Sequence, residues 1–459
     1  MSGAENVQRV AWLRRFKPYP AYKVSGVAWL GAIPAHWEVR RLKRIVQFRG
    51  GGTPRKENLE YWRGDIPWVS PKDMKVSVVF DTEDKITRQA VRESATKLVP
   101  AGAVLLVVRS GILVHSIPVA LAGREVTLNQ DLKALIPSSG LVSQYLVYLL
   151  SGLQRELLIE WKKEGATVES LELELVANTR IPLPGYFEQR AIVAFLDRET
   201  ARIDTFLAKK ERLIELLREK RTALITRAVT KALDPSAPMK DSGVEWLDQY
   251  PTHWTGLPLK RWVAVNITDG PHETPELVTQ GVDFISAEAV SNGRIDFDKR
   301  RGFISPELHS YYCRKCNPVR DDILLCKSGA TTGKLARVDV DFEFSVWSPL
   351  AVVRSRRSRI LPRFLEMALG SEYVQKQIRR TWSAGTQPNI SMGDLEQLFV
   401  VAPNIEEQAN ILAYVDEEAG GFDALIAKVH DAIGRLKELR TALLSAAVTG
   451  KIDVREEAA

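Results

Sequence analysis

The chain has 459 residues, of which 45% are hydrophobic and 26% charged, with a formal net charge of +7. That length is more than one core organises, so at least two domains are expected. No apolar run approaches the roughly 18–20 residues of a membrane span, and three cysteines exclude a disulfide framework and suit a reducing compartment.

The opening segment, MSGAENVQRVAWLRRFK, carries no apolar run of the kind a secretion signal needs, so a cytoplasmic location is expected. Residues 23–46, KVSGVAWLGAIPAHWEVRRLKRIV, then return at 240–263 as KDSGVEWLDQYPTHWTGLPLKRWV. Ser25, Gly26, Val27, Trp29, Leu30, Pro34, His36, Trp37, Leu42, Lys43 and Arg44 all recur at an offset of 217. A repeat of this period indicates two half-units. His36 and His253 stand in P-x-H-W segments, where a structural hydrogen bond is expected rather than catalysis.

Basic residues crowd the stretch from Arg40 to Arg63, and the turn RGGGTPRK places Arg55 and Lys56 on a loop. Together with Lys72 they are candidate DNA contacts, because cations at loop tips meet phosphates or guanine edges. Trp62 and Trp68 read as core aromatics. Asp73, Glu83 and Lys85 imitate the two carboxylates and lysine of a Mg²⁺-dependent nuclease, although the second half has no match and solvated surface charge explains them as well. The run AVLLVV at 103–108 reads as a strand, followed by a loop that begins at Arg109-Ser110, and LVSQYLVYLLSGLQRELLIEW as helical.

Residues 184–230 predict one long helix. The IPLP segment sets its start, and Ile192, Phe195, Leu196, Ile203, Phe206, Leu207, Leu213, Ile214, Leu217 and Leu224 form one apolar stripe. This block returns at 403–449, at an offset of 219, with Ile411, Leu436 and Leu443 on the stripe and Gly450 as its stop. The first block carries ten Lys/Arg against seven Asp/Glu and the second four against eight. Opposite net charge favours pairing the two helices with each other. An antiparallel pair would relate the halves by a pseudo-two-fold axis.

The second half has basic clusters at Lys299-Arg300-Arg301 and at Arg354, Arg356, Arg357 and Arg359. The strand DILLC leads to Lys327-Ser328, which aligns with Arg109-Ser110 at an offset of 218, and then to Gly-Ala-Thr-Thr-Gly-Lys. That loop is a residue short of a nucleotide-binding P-loop and has Leu335 where the Mg²⁺-binding hydroxyl is needed. It can still offer N–H groups, Thr331, Thr332 and Lys334 to a DNA backbone. His272 is a further candidate contact. Cys313-x2-Cys316 with His309 and Cys326 sketches a zinc site, but Cys326 sits in an apolar run and reads as core. Further turns are SNGR and SAGTQPN, and a second helical stretch is LPRFLEMALGSEYVQKQIRRTW.

The segments YKVSGVAWLGAIPAHWEVRRLKRIV, GGTPRKENLEYWRGDIPWVSPKDM and EQRAIVAFLDRETARID, doubled in part, resemble the specificity subunit of type I restriction-modification systems, from about Phe16 to Asp453. The second half departs most where ITDGPHETPELVTQGVDFISAEAV replaces GGTPRKENLEYWRGDIPWVSPKDM.

The resemblance implies an α/β (α+β) chain with two mixed target-recognition domains separated by two long antiparallel coiled-coil helices. The segments would be 1–183 with the first domain, 184–232 as central spacer helix, 233–402 as second domain and 403–459 as C-terminal spacer helix and tail. It implies double-stranded DNA, two methyltransferase subunits and two motor-nuclease subunits as partners, no membrane, and no catalysis by the subunit itself. S-adenosylmethionine, ATP and Mg²⁺ would be used by the partners and not bound here. Each domain would read one half of a split, asymmetric site. A self-sufficient nuclease or modification enzyme, and a coiled-coil scaffold that never reads DNA, are the rival classes.

Overall fold

The computed structural model describes residues 16–163, 168–291, 293–381 and 388–457. The N-terminal segment through Arg15, Asn292 of the SNGR turn and most of the SAGTQPN turn lie outside these residues. The two predicted long helices are continuous, Tyr186–Ala228 over 43 residues and Ile405–Val448 over 44. No proline interrupts either one, and Asn404 caps the second by accepting the Glu407 N–H at 2.9 Å. The chain divides into two compact units, Met1–Lys210 with His430–Ala459, and Glu211–Val429, and each long helix contributes to both. No helix among the described residues is long and apolar enough to cross a membrane.

In the first unit the strands form a five-stranded sheet in the order Val46–Gly50, Leu132–Pro137, Val104–Val107, Val119–Ala122, Val78–Val79. A smaller sheet joins Thr127–Leu128, Ile66–Val69 and Lys85–Ile86. The run read as AVLLVV is the fully buried central strand. Helices Ser143–Gly152 and Gln154–Trp161 cover the large sheet and share its core with Ile192, Phe195, Leu196 and Ile203 of the first long helix. Leu443, Leu444, Ala447 and Val448 from the end of the second long helix complete that core. Fully burying side chains of this size contributes about 1.5–3 kcal/mol each.

The two helix segments run antiparallel in this unit. Glu188, at the start of the first, bonds His36 (2.9 Å), whose neighbour Trp37 lies against Gly450 at the end of the second. Further along, Arg440 pairs with Asp204 at 3.3 Å. Gly450 has φ +68°, and a Cβ there would stand 2.3 Å from Pro34. Only glycine lets the P-x-H-W segment seat on the helix end.

The second unit repeats the plan. Its four-stranded sheet runs Thr268–Asp269, Leu350–Val353, Ile323–Cys326, Leu335–Arg337, and a three-stranded sheet joins Gly302–Ile304, Val282–Ile285 and Phe344–Val346. Helices Pro362–Gly370 and Glu372–Arg380 take the place of the first unit's pair. Ile411, Val415 and Ala419 from one long helix share this core with Ala228, Val229 and Ala232 at and just beyond the end of the other, and Arg221 pairs with Asp423 at 3.1 Å. Asp423 and Arg440 are the repeat copies of Asp204 and Arg221, so each unit holds one version of a single ion pair.

The expected stripe is buried at Ile192, Leu196, Ile203, Leu217, Ile411 and Leu443 and half-buried at Leu224 and Leu436. Phe206 departs from it, with half its surface exposed. The alternative in which each helix packs only on its own domain does not hold, because the end of the second helix packs into the first unit.

Candidate nucleic-acid interface

The copied residues build two identical clamps. Gln189 accepts the Val142 N–H at 2.8 Å and donates to the carbonyls of Gly140 and Pro184. Gln408 does the same with Leu361, Arg359 and Pro403, each 219 residues on. Both side chains are fully buried. His36 bonds Glu188 and His253 bonds Glu407, each at 2.9 Å, which is the structural role expected of both histidines. These contacts fix the segment entering each domain to the start of a long helix.

Against that frame, one end of each large sheet carries the candidate contacts. In the first domain Gly51 has no room for a Cβ, which would lie 2.0 Å from the Asn129 carbonyl. The Trp68 indole donates to Gly52 O at 2.9 Å and packs edge-on to Trp62, whose own N–H reaches Arg55 O at 3.3 Å. Both tryptophans therefore pin the GGTPRK loop from beneath and leave Arg55 and Lys56 exposed.

Beside that loop, the Arg109 guanidinium donates to Asp131 at 2.7 Å but stays half-exposed. Ser110 begins the short turn Gly111–Val114, on which Ile112 and Val114 are exposed. Lys72 lies 2.9 Å from both Glu83 and Asp84, and these carboxylates raise its pKa. Asp73 caps Ser70, and Lys85 pairs with Asp81. Asp73, Glu83 and Lys85 thus serve three different partners and form no common site.

In the second domain Lys327 stands where Arg109 stands in the first, but its side chain is only 12% exposed and its ammonium meets Asp269 at 3.0 Å. Asp269 also receives Lys315 at 2.6 Å and lies 3.2 Å from His272. Burial pushes the Asp269 carboxyl up, but Lys315 and Lys327 outweigh burial and hold it below the ordinary carboxylate value. Of the groups expected at this loop, the N–H of Gly329, Thr332, Gly333 and Lys334 are bonded within the protein. The Thr332 hydroxyl donates to Gly329 O (2.7 Å) and lies 3.1 Å from Pro388 O. The loop therefore presents the exposed Lys334 ammonium rather than a cradle of N–H groups. Ser328 forms a bridge to Asn389, which fixes the loop at its base, and Thr331 is half-buried.

The basic clusters of the second half are less free than their sequence suggests. Lys299 pairs with Asp296, Arg300 with Asp283, Arg301 with Glu288, Arg354 with Asp322 and Arg357 with Asp321. His309 is 2.9 Å from the Ser345 hydroxyl and 3.4 Å from Cys313 Sγ. Burial pushes the thiols of Cys316 and Cys326 up to about 11, which makes them poor metal ligands and nucleophiles.

Sequence reasoning missed a cavity of about 460 Å³ beside Asp269, walled by Pro271, His272 and Glu273 on one side and by Tyr311, Arg314 and Lys315 on the other. Its walls come from segments some forty residues apart, and no local motif signals their meeting.

A family model, Type I restriction modification DNA specificity domain, matches residues 34–216. The chain is 40% identical over 180 residues to the EcoR124I/EcoR124II specificity subunit of Escherichia coli, a match spanning 39% of this chain and 45% of that protein. It is 27% identical over 439 residues to the MjaIX specificity subunit of Methanocaldococcus jannaschii, spanning 93% of this chain and 96% of that one. A solved structure from work on complex assembly and conformational transition of the type I R-M system shares the fold, with a TM-score of 0.58 at 18% identity over 91% of this chain and 98% of that one. Over residues 34–216 the chain is therefore similar to the DNA specificity domain of type I restriction-modification systems, and over most of its length it is similar to specificity subunits of such systems.

Proposed function

We propose that the chain reads a two-part, asymmetric DNA site, one part with each domain, and brings methyltransferase and motor-nuclease subunits to it in the cytoplasm. The observation that carries this reading is a contrast at one position. Both domains present a cation, a serine and a glycine after the central strand, and then diverge from Ile112-Leu113-Val114 to Ala330-Thr331-Thr332. Exposed Ile and Val suit contact with a thymine methyl, whereas threonines and Lys334 suit polar edges and phosphates. Identical frames with unlike tips are what two different half-sites require.

On this reading the first domain, residues 1–183, uses Arg55, Lys56 and Arg109-Ser110, and the second, 233–402, uses the loop from Ser328 to Lys334. The repeated segments, including helices 184–232 and 403–459, face partners that are the same for both halves. Two methyltransferase and two motor-nuclease subunits fit that symmetry. S-adenosylmethionine, ATP and Mg²⁺ chemistry belongs to those partners.

Mapping methylated positions across a genome with and without this chain tests the reading. A motif with two unlike parts and an unread gap is expected, and a continuous or palindromic motif overturns it. Deleting one or two helical turns within 200–220, with the matching turns of the second helix, shortens the gap and leaves both parts unchanged.

A further inference from the structure

The cavity beside Asp269 is built rather than incidental. One wall is the segment from Gly270 to Glu273, held from behind: a Cβ on Gly270 would lie 1.9 Å from Val346 O, Ser348 N–H donates to Pro271 O at 3.1 Å, and the Trp347 indole donates to Glu273 O at 3.1 Å. The other wall is the end of helix Pro306–Cys313 with the three residues that follow it. Lys315 ties the walls together by donating to Asp269 Oδ1 at 2.6 Å and to Gly270 O at 3.2 Å. The Tyr312 hydroxyl adds a second tie, donating to Glu273 Oε1 at 3.2 Å.

The lining suits a nucleotide. Tyr311 is exposed, with the Arg314 guanidinium 5.8 Å from its ring centre, which sets an aromatic face and an anion-binding fork side by side. Glu273 uses Oε1 for Tyr312, and among the described residues its Oε2 makes no hydrogen bond, so it can accept from the amino group of cytosine or adenine. The cavity lies at the end of the sheet that carries Lys327, through their shared carboxylate Asp269.

From this geometry we propose that the cavity is a nucleotide-reading site of the second domain in addition to the Ser328–Lys334 loop, with Glu273 selecting a base that bears an amino group, Arg314 holding the adjacent phosphate and Tyr311 packing against the sugar or base. The inference rests on the two-part reading above and places one half of it at named atoms.

The test uses the full chain assembled with its methyltransferase subunit and compares methylated motifs for wild type, Glu273→Gln, Arg314→Gln and Tyr311→Ala. Glu273→Gln keeps the shape and can keep the Tyr312 contact; it relaxes discrimination at one position of the second half-site. Arg314→Gln and Tyr311→Ala each lower occupancy of the full site by about 10-fold without changing the preferred bases. The first half-site stays unchanged in all three. Full stringency of both halves in Glu273→Gln, a change in the first half, or loss of all methylation by that variant overturns the assignment. Absence of any two-part motif in the wild type overturns the broader reading instead.

Discussion

Two pairs of sites occupy equivalent places in the two units and behave oppositely. Gln189 and Gln408 make the same three hydrogen bonds to residues with the same spacing. Arg109 and Lys327 also occupy equivalent positions, yet Arg109 is held half-exposed by Asp131 and Lys327 is drawn inward by Asp269. The repeat therefore preserves the parts whose partners are backbone groups of the frame. It releases the parts whose partners are side chains of the diverged loops.

The largest effect should come from breaking a clamp. Gln189→Ala strands a buried N–H and two carbonyls, and a loss of about 3–5 kcal/mol is expected. Gln408→Ala should cost the same to within about 1 kcal/mol. Chemical denaturation measures both, and unequal costs would show that the two frames are not equivalent.

Asp269→Asn comes next, at about 2–3 kcal/mol, because it leaves the nearly buried Lys327 without its counter-charge. The sign with pH follows from the lowered carboxyl. A folded pKa below the unfolded one gives stabilisation that is complete above about pH 4 and lost as pH falls through the lower folded value. The difference between variant and wild type therefore closes on acidification below about pH 4, and a gap that widens there contradicts the assignment. Asp131→Asn, its nearest analogue in the first domain, costs less because Arg109 is already solvated.

Gly450→Ala should cost about 2 kcal/mol from the positive φ and the encounter with Pro34, read as a lowered melting temperature. Replacing Ile112 and Val114 by Ala and Thr makes the first loop resemble the second. It should alter stability by less than about 0.5 kcal/mol and, on the two-part reading proposed above, change the bases tolerated in the first part only, read by methylation mapping.

The smallest effect belongs to the ion pairs between the helices. Both are partly exposed, so Arg221→Ala or Arg440→Ala should each cost about 0–1 kcal/mol, less at high salt. Equal values would extend the equivalence of the two frames to their surfaces.

The frame was legible because its signals are local or repeated. Proline placement and the apolar stripe gave 184–230 for a helix observed at Tyr186–Ala228, and P-x-H-W at the same place in both halves pointed to a structural histidine. The candidate interface was less legible because charge in a sequence does not state where the counter-charge lies. Arg354 meets Asp322, 32 residues away, and Lys327 meets Asp269, 58 away. Likewise the glycine-threonine loop reads as an N–H cradle, but its donors are bonded to its own carbonyls and to those of Cys326 and Pro388.

By itself the sequence determined that the chain is doubled, which segments are copied, where the long helices run and that the domain tips differ. Those properties follow from periodicity and from conformational limits of single residues, which act over a few positions. Only the tertiary structure decided which cations are free, which glutamines clamp the frame, that the end of the second helix packs into the first unit, and that residues 271–273 meet Tyr311, Tyr312 and residues 314–316 across a cavity. Those depend on which distant side chains share a carboxylate or a core, and chain folding rather than spacing sets that.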